Sequence, residues 1–389
     1  MSVTAASGFA ASGVRAGIRR SGLDLAVVRS AAPSVGAALW TTNRVQAAPV
    51  IVSKKHLAAA EPQAVVINAG VANAATGEGG IAAAERTAAE AATALGLRSD
   101  EVVVLSTGVI GIPLPMDRVL RGVRDACATL DAGGDGGERA AAAILTTDRA
   151  PKQAAVQCDG FMVGGMAKGA GMIHPRLATM LALITTDYPL AAGEPSDFLP
   201  PAVEASFNRI SVDGECSTND AVVLLANGAS GAERTDERDQ QFAAALGDVC
   251  AGLAREIVAD GEGATVLLEI SVSGATSSDE AEAVARRIAT SPLVKTAAFG
   301  RDPNWGRVLA AAGSAPWNGG FAHIDVDRLT VSFDGTEVFV RGEPTGAQPE
   351  LVRAAVAIDL DLGLGAGSAS YLASDLTYDY VRLNAEYTT

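Results

Sequence analysis

Histidine and cysteine are scarce in this chain, and both are scattered. The histidines are His56, His174 and His323, and the cysteines are Cys127, Cys158, Cys216 and Cys250. No CxxC pair and no histidine cluster occurs, so a zinc site, a disulfide framework and a His-based triad are poorly supported. No metal site and no cofactor is expected. Aromatic residues make up only 4% of the chain, which leaves the core to Ala, Val, Leu and Ile. No apolar run approaches the ~18 residues of a membrane-spanning helix, and residues 1–20 lack the continuous apolar stretch of a signal peptide. Lysine is rare too, at five residues (Lys54, Lys55, Lys152, Lys168, Lys295). A formal charge of −15 argues against nucleic acid or an anionic membrane as the main partner. A soluble, cytoplasmic protein is expected.

What remains is an Ala- and Gly-rich α/β pattern, long enough for one large core or two smaller ones. Strand-like runs lie at 25–30, 64–69, 101–105, 161–167, 178–185, 221–226 and 265–273, then at 324–326, 329–333 and 337–341. Helix-like blocks lie at 81–95, 116–130, 138–145, 240–258, 279–289 and 350–357. Ser277 and Glu280 read as a capping box, Asp334-Gly335 as a hairpin turn, and 132–137 as a glycine-rich linker. A composition shift near 271–278 suggests a main domain over 1–270 and a smaller one over 271–389.

One stretch stands out: Lys168-Gly-Ala-Gly-Met-Ile-His-Pro-Arg-Leu-Ala-Thr-Met-Leu181. A glycine-rich turn leads to a Thr behind an Ala and then to an apolar run. Cleavage of the Ala178–Thr179 bond gives Thr179 a hydroxyl nucleophile and, in its freed α-amine, an adjacent base. The plain alternative is a threonine entering a buried strand. Lys168 follows an apolar run, where a cation suits a substrate carboxylate or its stem packs on a strand. The exit Leu105-Ser-Thr-Gly-Val-Ile-Gly111 offers a hydroxyl and backbone N–H groups to an oxyanion, or is an ordinary strand end. Thr146-Thr-Asp148 closes a helix, and Gly261-Glu-Gly-Ala-Thr265 sets one acid between glycines. Gly363-Leu-Gly-Ala-Gly367 lacks the βαβ setting of a dinucleotide site. Asp359 and Asp361 lack converging metal ligands.

Taken in order, these blocks resemble the ornithine acetyltransferase family, the bifunctional glutamate N-acetyltransferases of arginine biosynthesis. The resemblance rests on Ala64–Gly77, Ser106–Gly111, Thr146–Asp148, Gly164–Gly169, Ala178–Leu181, Ser211–Asp220, Gly261–Thr265, Asp302–Arg307 and Asn384–Thr389. It implies an αββα sandwich of the self-cleaving aminopeptidase and ornithine acetyltransferase group, with a smaller C-terminal α+β domain. It further implies cleavage between Ala178 and Thr179 and acetyl transfer through Thr179 from N-acetylornithine to glutamate. Thr107 and Gly108 would form the oxyanion hole, and Thr146, Lys168, Thr179, Glu262, Asn384 and Thr389 the substrate contacts. The C-terminal tail would return to the site, and the two chains would assemble as α2β2 or larger. The sequence departs from the family pattern at Val71, Ala75, His174-Pro-Arg176, Val266 and Tyr371–Ser374. Alternatives are a hydrolase or aminopeptidase with the same nucleophile, a paralogue using another acylated amino acid, and a non-catalytic binding protein.

Overall fold

The structure, a computed structural model, describes residues 2–174 and 180–386, which form two compact units. The first comprises residues 2–208 and Glu215–Ile257, and the second Arg209–Gly214 and residues 258–386. The expected boundary at 270/271 falls inside a strand of the second unit.

The first unit begins with β1 (Phe9–Val14), β2 (Leu25–Ser30), β3 (Val35–Trp40), α1 (Ala48–Ala59) and β4 (Ala64–Val71). Next come α2 (Gly77–Leu95), β5 (Val102–Val109), α3 (Met116–Ala128) and α4 (Gly134–Ala143). β6 (Lys152–Gln157), β7 (Met162–Lys168), β8 (Leu181–Thr186) and α5 (Pro195–Glu204) follow. After β9 (Ile210–Ser211), which belongs to the second unit, come β10 (Ala221–Ala226) and α6 (Asp236–Ala259).

Two sheets face each other, ordered β1-β2-β4-β5 and β3-β10-β8-β7-β6. Alternation along β4 explains the layering. Val65 and Ile67 join Val103, Leu105, Met166, Leu183, Val223 and Leu225 in the core between the sheets. Ala64 and Val66 point the other way, onto Ala88 and Ala91 of α2 and Val119 and Val123 of α3. A strand buried on both faces reads as a continuous apolar run, and β4, β5 and β10 do. On the outer face of the second sheet, a β-carbon on Gly165 of β7 would meet Val249 and Leu253 of α6 at 3.0 and 3.1 Å. The order is helix, sheet, sheet, helix, the αββα class.

The second unit contains β11 (Leu267–Ala275), α7 (Ser278–Ala289), α8 (Pro292–Phe299), α9 (Trp305–Ala312), β12 (Pro316–Trp317) and β13 (Gly320–Phe321). β14 (Thr330–Phe333), β15 (Thr336–Val340), β16 (Glu343–Pro344), β17 (Ala355–Asp361), β18 (Gly367–Ser374) and α10 (Tyr378–Glu386) complete it. Its main sheet runs β16-β15-β14-β17-β11-β18-β9, and one apolar cluster gathers residues of that sheet with those of α7, α8 and α9. The Asp334-Gly335 turn forms as expected, with φ of 46° and 79° at its two residues.

Four local expectations change. The helix expected at 350–357 is replaced by β17, whose alternating burial and pairing to both β11 and β14 outweigh the helix propensity of its alanines. The strand expected at 324–326 is a turn, in which Asp325 Oδ1 accepts the Asp327 amide at 3.1 Å. At α7, Ser277 accepts the Glu280 amide, but the Glu280 side chain takes the Thr276 amide at 3.1 Å instead of closing a capping box. Finally, the supposed linker 132–137 contains the start of α4. Asp131 accepts the amides of Gly133 (2.9 Å) and Gly136 (3.1 Å) there. A β-carbon on Gly136 would lie 2.3 Å from the Asp131 carbonyl oxygen, and one on Gly137 1.7 Å from Ser2 Oγ. These glycines serve close packing, and a flexible linker has no such need.

Gly136→Ala tests that distinction. In a linker the change would be neutral or stabilising. Against Asp131 it should cost about 1–3 kcal/mol, more than the ~1 kcal/mol gained in helix propensity. Urea titration of both proteins reads the difference.

Candidate active site

The site of the first unit is built on the C-terminal ends of β4 and β5. These strands are parallel and in register, with Ala69 opposite Thr107 and Gly70 opposite Gly108. The backbones come so close that a β-carbon on Gly108 would lie 2.3 Å from the Gly70 carbonyl carbon, and Gly108 has φ of +129°. Only glycine fits both conditions. Two asparagines lock these ends. Asn68 accepts from Ser106 Oγ (2.6 Å) and donates to the Val71 carbonyl (2.9 Å). Asn219 donates to the carbonyls of Ala72 (2.6 Å) and Ser106 (2.8 Å), and accepts from the Thr218 hydroxyl at 2.6 Å.

From the second sheet, β7 delivers Lys168 beneath this exit. Its side chain is buried, and Nζ donates to Thr107 Oγ1 at 3.2 Å. With an ammonium occupying a lone pair on Oγ1, the Thr107 proton must point elsewhere. Among the described residues it has no acceptor. Thr107 is thus a polarised donor at the end of a strand.

Asp148 organises the cations. Its buried Oδ1 accepts from Lys152 Nζ and from the Gly169 amide, each at 2.7 Å, and Oδ2 accepts the Thr146 amide at 3.1 Å. Burial alone would raise its pKa. The charges of Lys168 and Lys152, with the Lys152 and Gly169 hydrogen bonds, hold it far below the usual carboxylate range. The Asp148 carboxylate thus lies in the field of both ammonium groups. A second acid, Asp220, is fully buried, accepts the Met180 amide on Oδ1 at 2.9 Å, and is raised well above its ordinary value by burial.

Thr107, Gly108, Thr146 and Lys168 are thus brought together in the first unit. In the second, Asn384 Nδ2 donates to Glu262 Oε2 at 2.8 Å. Ala178, Thr179 and Thr389 lie outside the described residues. Asn68, Asp148, Asn219 and Asp220 were not singled out by role in the sequence. Each acts through a partner distant along the chain, or on a strand end whose position only the fold sets. Thiol chemistry has little support: burial pushes Cys127 up to about 11 and Cys250 to about 12, and raises Cys158 and Cys216. No group of three metal-ligating side chains is arranged for an ion among the described residues, and no helix there is long and apolar enough to cross a membrane. Asp359 and Asp361 are engaged locally, with Ser271 and with the Gly363 amide.

A hydroxyl donor backed by a buried ammonium, beside a glycine strand end in an αββα sandwich, defines an α/β enzyme of the acyl-transfer class. The ArgJ family model matches residues 10–389, and the chain belongs to the ArgJ family. It is 45% identical to the arginine biosynthesis bifunctional protein ArgJ of Symbiobacterium thermophilum, over 100% of this chain and 98% of that protein. It is 46% identical to the protein of the same name from Thermobifida fusca, over 100% of both. Among solved structures, ornithine acetyltransferase of Mycobacterium tuberculosis complexed with ornithine is 45% identical. That match covers 45% of this chain and 94% of the other, with a TM-score of 0.44.

Asp148→Asn should destabilise the protein by about 3–5 kcal/mol at pH 7, because it strips the partner from buried ammonium groups. The depressed pKa of Asp148 stabilises the fold above the unfolded carboxylate value of about 3.9. That contribution fades as pH falls from there toward the lower native value. The gap between wild type and variant should therefore narrow below about pH 4, as denaturant melts across pH will read.

Proposed function

We propose that the chain is a self-processing acyltransferase that moves the acetyl group of N-acetylornithine to glutamate through an acyl-enzyme on Thr179. The observation that carries this reading is the Lys168 ammonium held 3.2 Å from Thr107 Oγ1. It readies a hydroxyl donor for an oxyanion in a chain matched along its whole length by arginine-biosynthesis proteins. Cleavage between Ala178 and Thr179 exposes an α-amine with an unperturbed pKa of about 7.7–8.0, suited to act as base near neutral pH.

The Thr179 hydroxyl then attacks the acetyl carbonyl, and its proton passes to the α-amine. The oxyanion is met by the Thr107 hydroxyl and the Gly108 N–H. Collapse expels the amine of ornithine, which takes that proton, and leaves an acetyl ester on Thr179. The glutamate amine attacks the ester through the same oxyanion geometry and regenerates the hydroxyl. Lys168 receives the amino-acid carboxylate, with Thr146 beside it. Glu262, supported by Asn384, receives the side-chain ammonium of ornithine, and Thr389 completes the substrate contacts. The two chains assemble as α2β2 or larger, in the cytoplasm.

Intact mass spectrometry tests the nucleophile. Wild type should separate into chains ending at Ala178 and beginning at Thr179 and gain one acetyl group on the latter with N-acetylornithine. Thr179→Ala should stay at 39.3 kDa. A wild type that remains whole and unacetylated overturns the proposal. Consumption of N-acetylornithine should require glutamate, whereas release of free acetate without it identifies a hydrolase. Thr107→Val should lower kcat about 10²–10³-fold, the usual loss for one oxyanion donor, and cost about 1–3 kcal/mol of stability because it removes an acceptor of the buried Lys168 ammonium.

A further inference from the structure

The two amino acids of the proposed exchange pose a charge problem. Ornithine and glutamate share an amino-acid end but carry opposite side chains, an ammonium and a carboxylate. Lys168 answers the shared carboxylate, and Glu262 answers the ammonium of ornithine. A carboxylate that suits that ammonium repels the side chain of glutamate. A further cation is wanted for the acceptor, and the first unit holds one that no carboxylate engages.

Arg19 lies in the loop between β1 and β2, and the buried Asp24 shapes that loop. Asp24 Oδ1 accepts the Ala16 amide at 2.6 Å, and Oδ2 accepts those of Ile18 (2.7 Å) and Arg19 (3.1 Å). The hydrogen bonds of this acid thus go to backbone amides and none to the guanidinium. The stem of Arg19 packs on the exit of β4. A β-carbon on Gly70 would lie 3.0 Å from Arg19 Cβ, and Gly70 stands opposite Gly108. Farther out, Nη1 donates to the carbonyl of Leu145, the residue before Thr146, at 2.7 Å. The side chain therefore runs from the glycine beside the oxyanion donors to the neighbour of a substrate threonine.

That bond is the only one its guanidinium makes among the described residues. Nε is buried without an acceptor there, and Arg19 forms no ion pair. A guanidinium presents five N–H donors in a rigid fork that matches a carboxylate, and a buried donor left unpaired is costly. The neighbouring arginines hold the loop instead: Arg15 donates to the Arg20 carbonyl (3.1 Å) and Arg118 to the Gly17 carbonyl (2.7 Å). Arg19 is half-buried, which leaves part of it open to a ligand.

We propose that Arg19 binds the side-chain carboxylate of glutamate when that amino acid takes the acetyl group, and so sets the preferred acceptor. This rests on the acyl-transfer reading and adds to it a residue for the second half of the exchange. A carboxylate on the Nε–Nη2 edge gives both atoms an acceptor, while Nη1 stays on Leu145 and fixes the fork.

Mature enzyme assayed in its two half-reactions tests this, with glutamate and glutamine as rival acceptors. Acetylation by N-acetylornithine, followed by intact mass, should proceed in Arg19→Met at the wild-type rate. The KM for glutamate should rise about 10–100-fold, the worth of a charge-assisted hydrogen-bonded pair, with kcat little changed. Glutamine carries no side-chain charge, so its KM should stay the same and the preference for glutamate should collapse. Arg19→Lys should restore part of that preference. An unchanged glutamate KM and an unchanged preference overturn the proposal. So does a KM that rises equally for N-acetylornithine, glutamate and glutamine, which marks a contact to the shared carboxylate or a structural role. Should Arg19→Met fail to fold, Arg19→Gln, which keeps an N–H donor for Leu145, decides by the same ratio. A wild type that takes no acetyl group from N-acetylornithine overturns the acyl-transfer reading, and this proposal with it.

Discussion

Lys168 carries a positive charge into an interior where its side chain is almost fully removed from water, and the polar groups around it answer that charge. A buried ammonium without partners costs several kcal/mol. Here it donates to Thr107 and lies in the field of Asp148, which is itself shared with Lys152. The ammonium that polarises Thr107 is therefore stabilised by the same carboxylate that holds Lys152.

Such a charge is useful only if the donor it polarises cannot move. Thr107 sits at the end of a strand pinned by Asn68 and Asn219, and Gly108 lies against Gly70 where no larger residue fits. These contacts join the two parallel strands to the segment before β10, which also carries Asp220. Donor, cation and acid therefore share one framework of β4, β5, β7 and β10. A change in any of these strand ends would move all three groups together, which makes the asparagines positioning residues for the site.

Much of the candidate site was legible in the chain, because its groups lie in short ordered blocks. Lys168 was noticed for its rarity and its place after an apolar run, and Thr107-Gly108 for closing a strand on a hydroxyl and a glycine. The mixed α/β class followed from the alternation of apolar runs with Ala-rich blocks. Local misreadings had local causes. Glycines that permit close packing around α4 look the same in sequence as glycines of a flexible linker. Alanines in β17, paired on both sides, look the same as alanines of a helix.

By itself, the sequence determined the family, the apolar strands and the residue types available for chemistry, because these depend on composition and order along the chain. The tertiary structure decided which charges meet. Asp148 lies twenty positions before Lys168, and Asp220 lies forty beyond Met180, so no local pattern pairs them. Their protonation follows from burial and from distances of a few ångströms. Two neighbouring cations hold the buried Asp148 far below the usual carboxylate range, whereas burial raises Asp220 well above it.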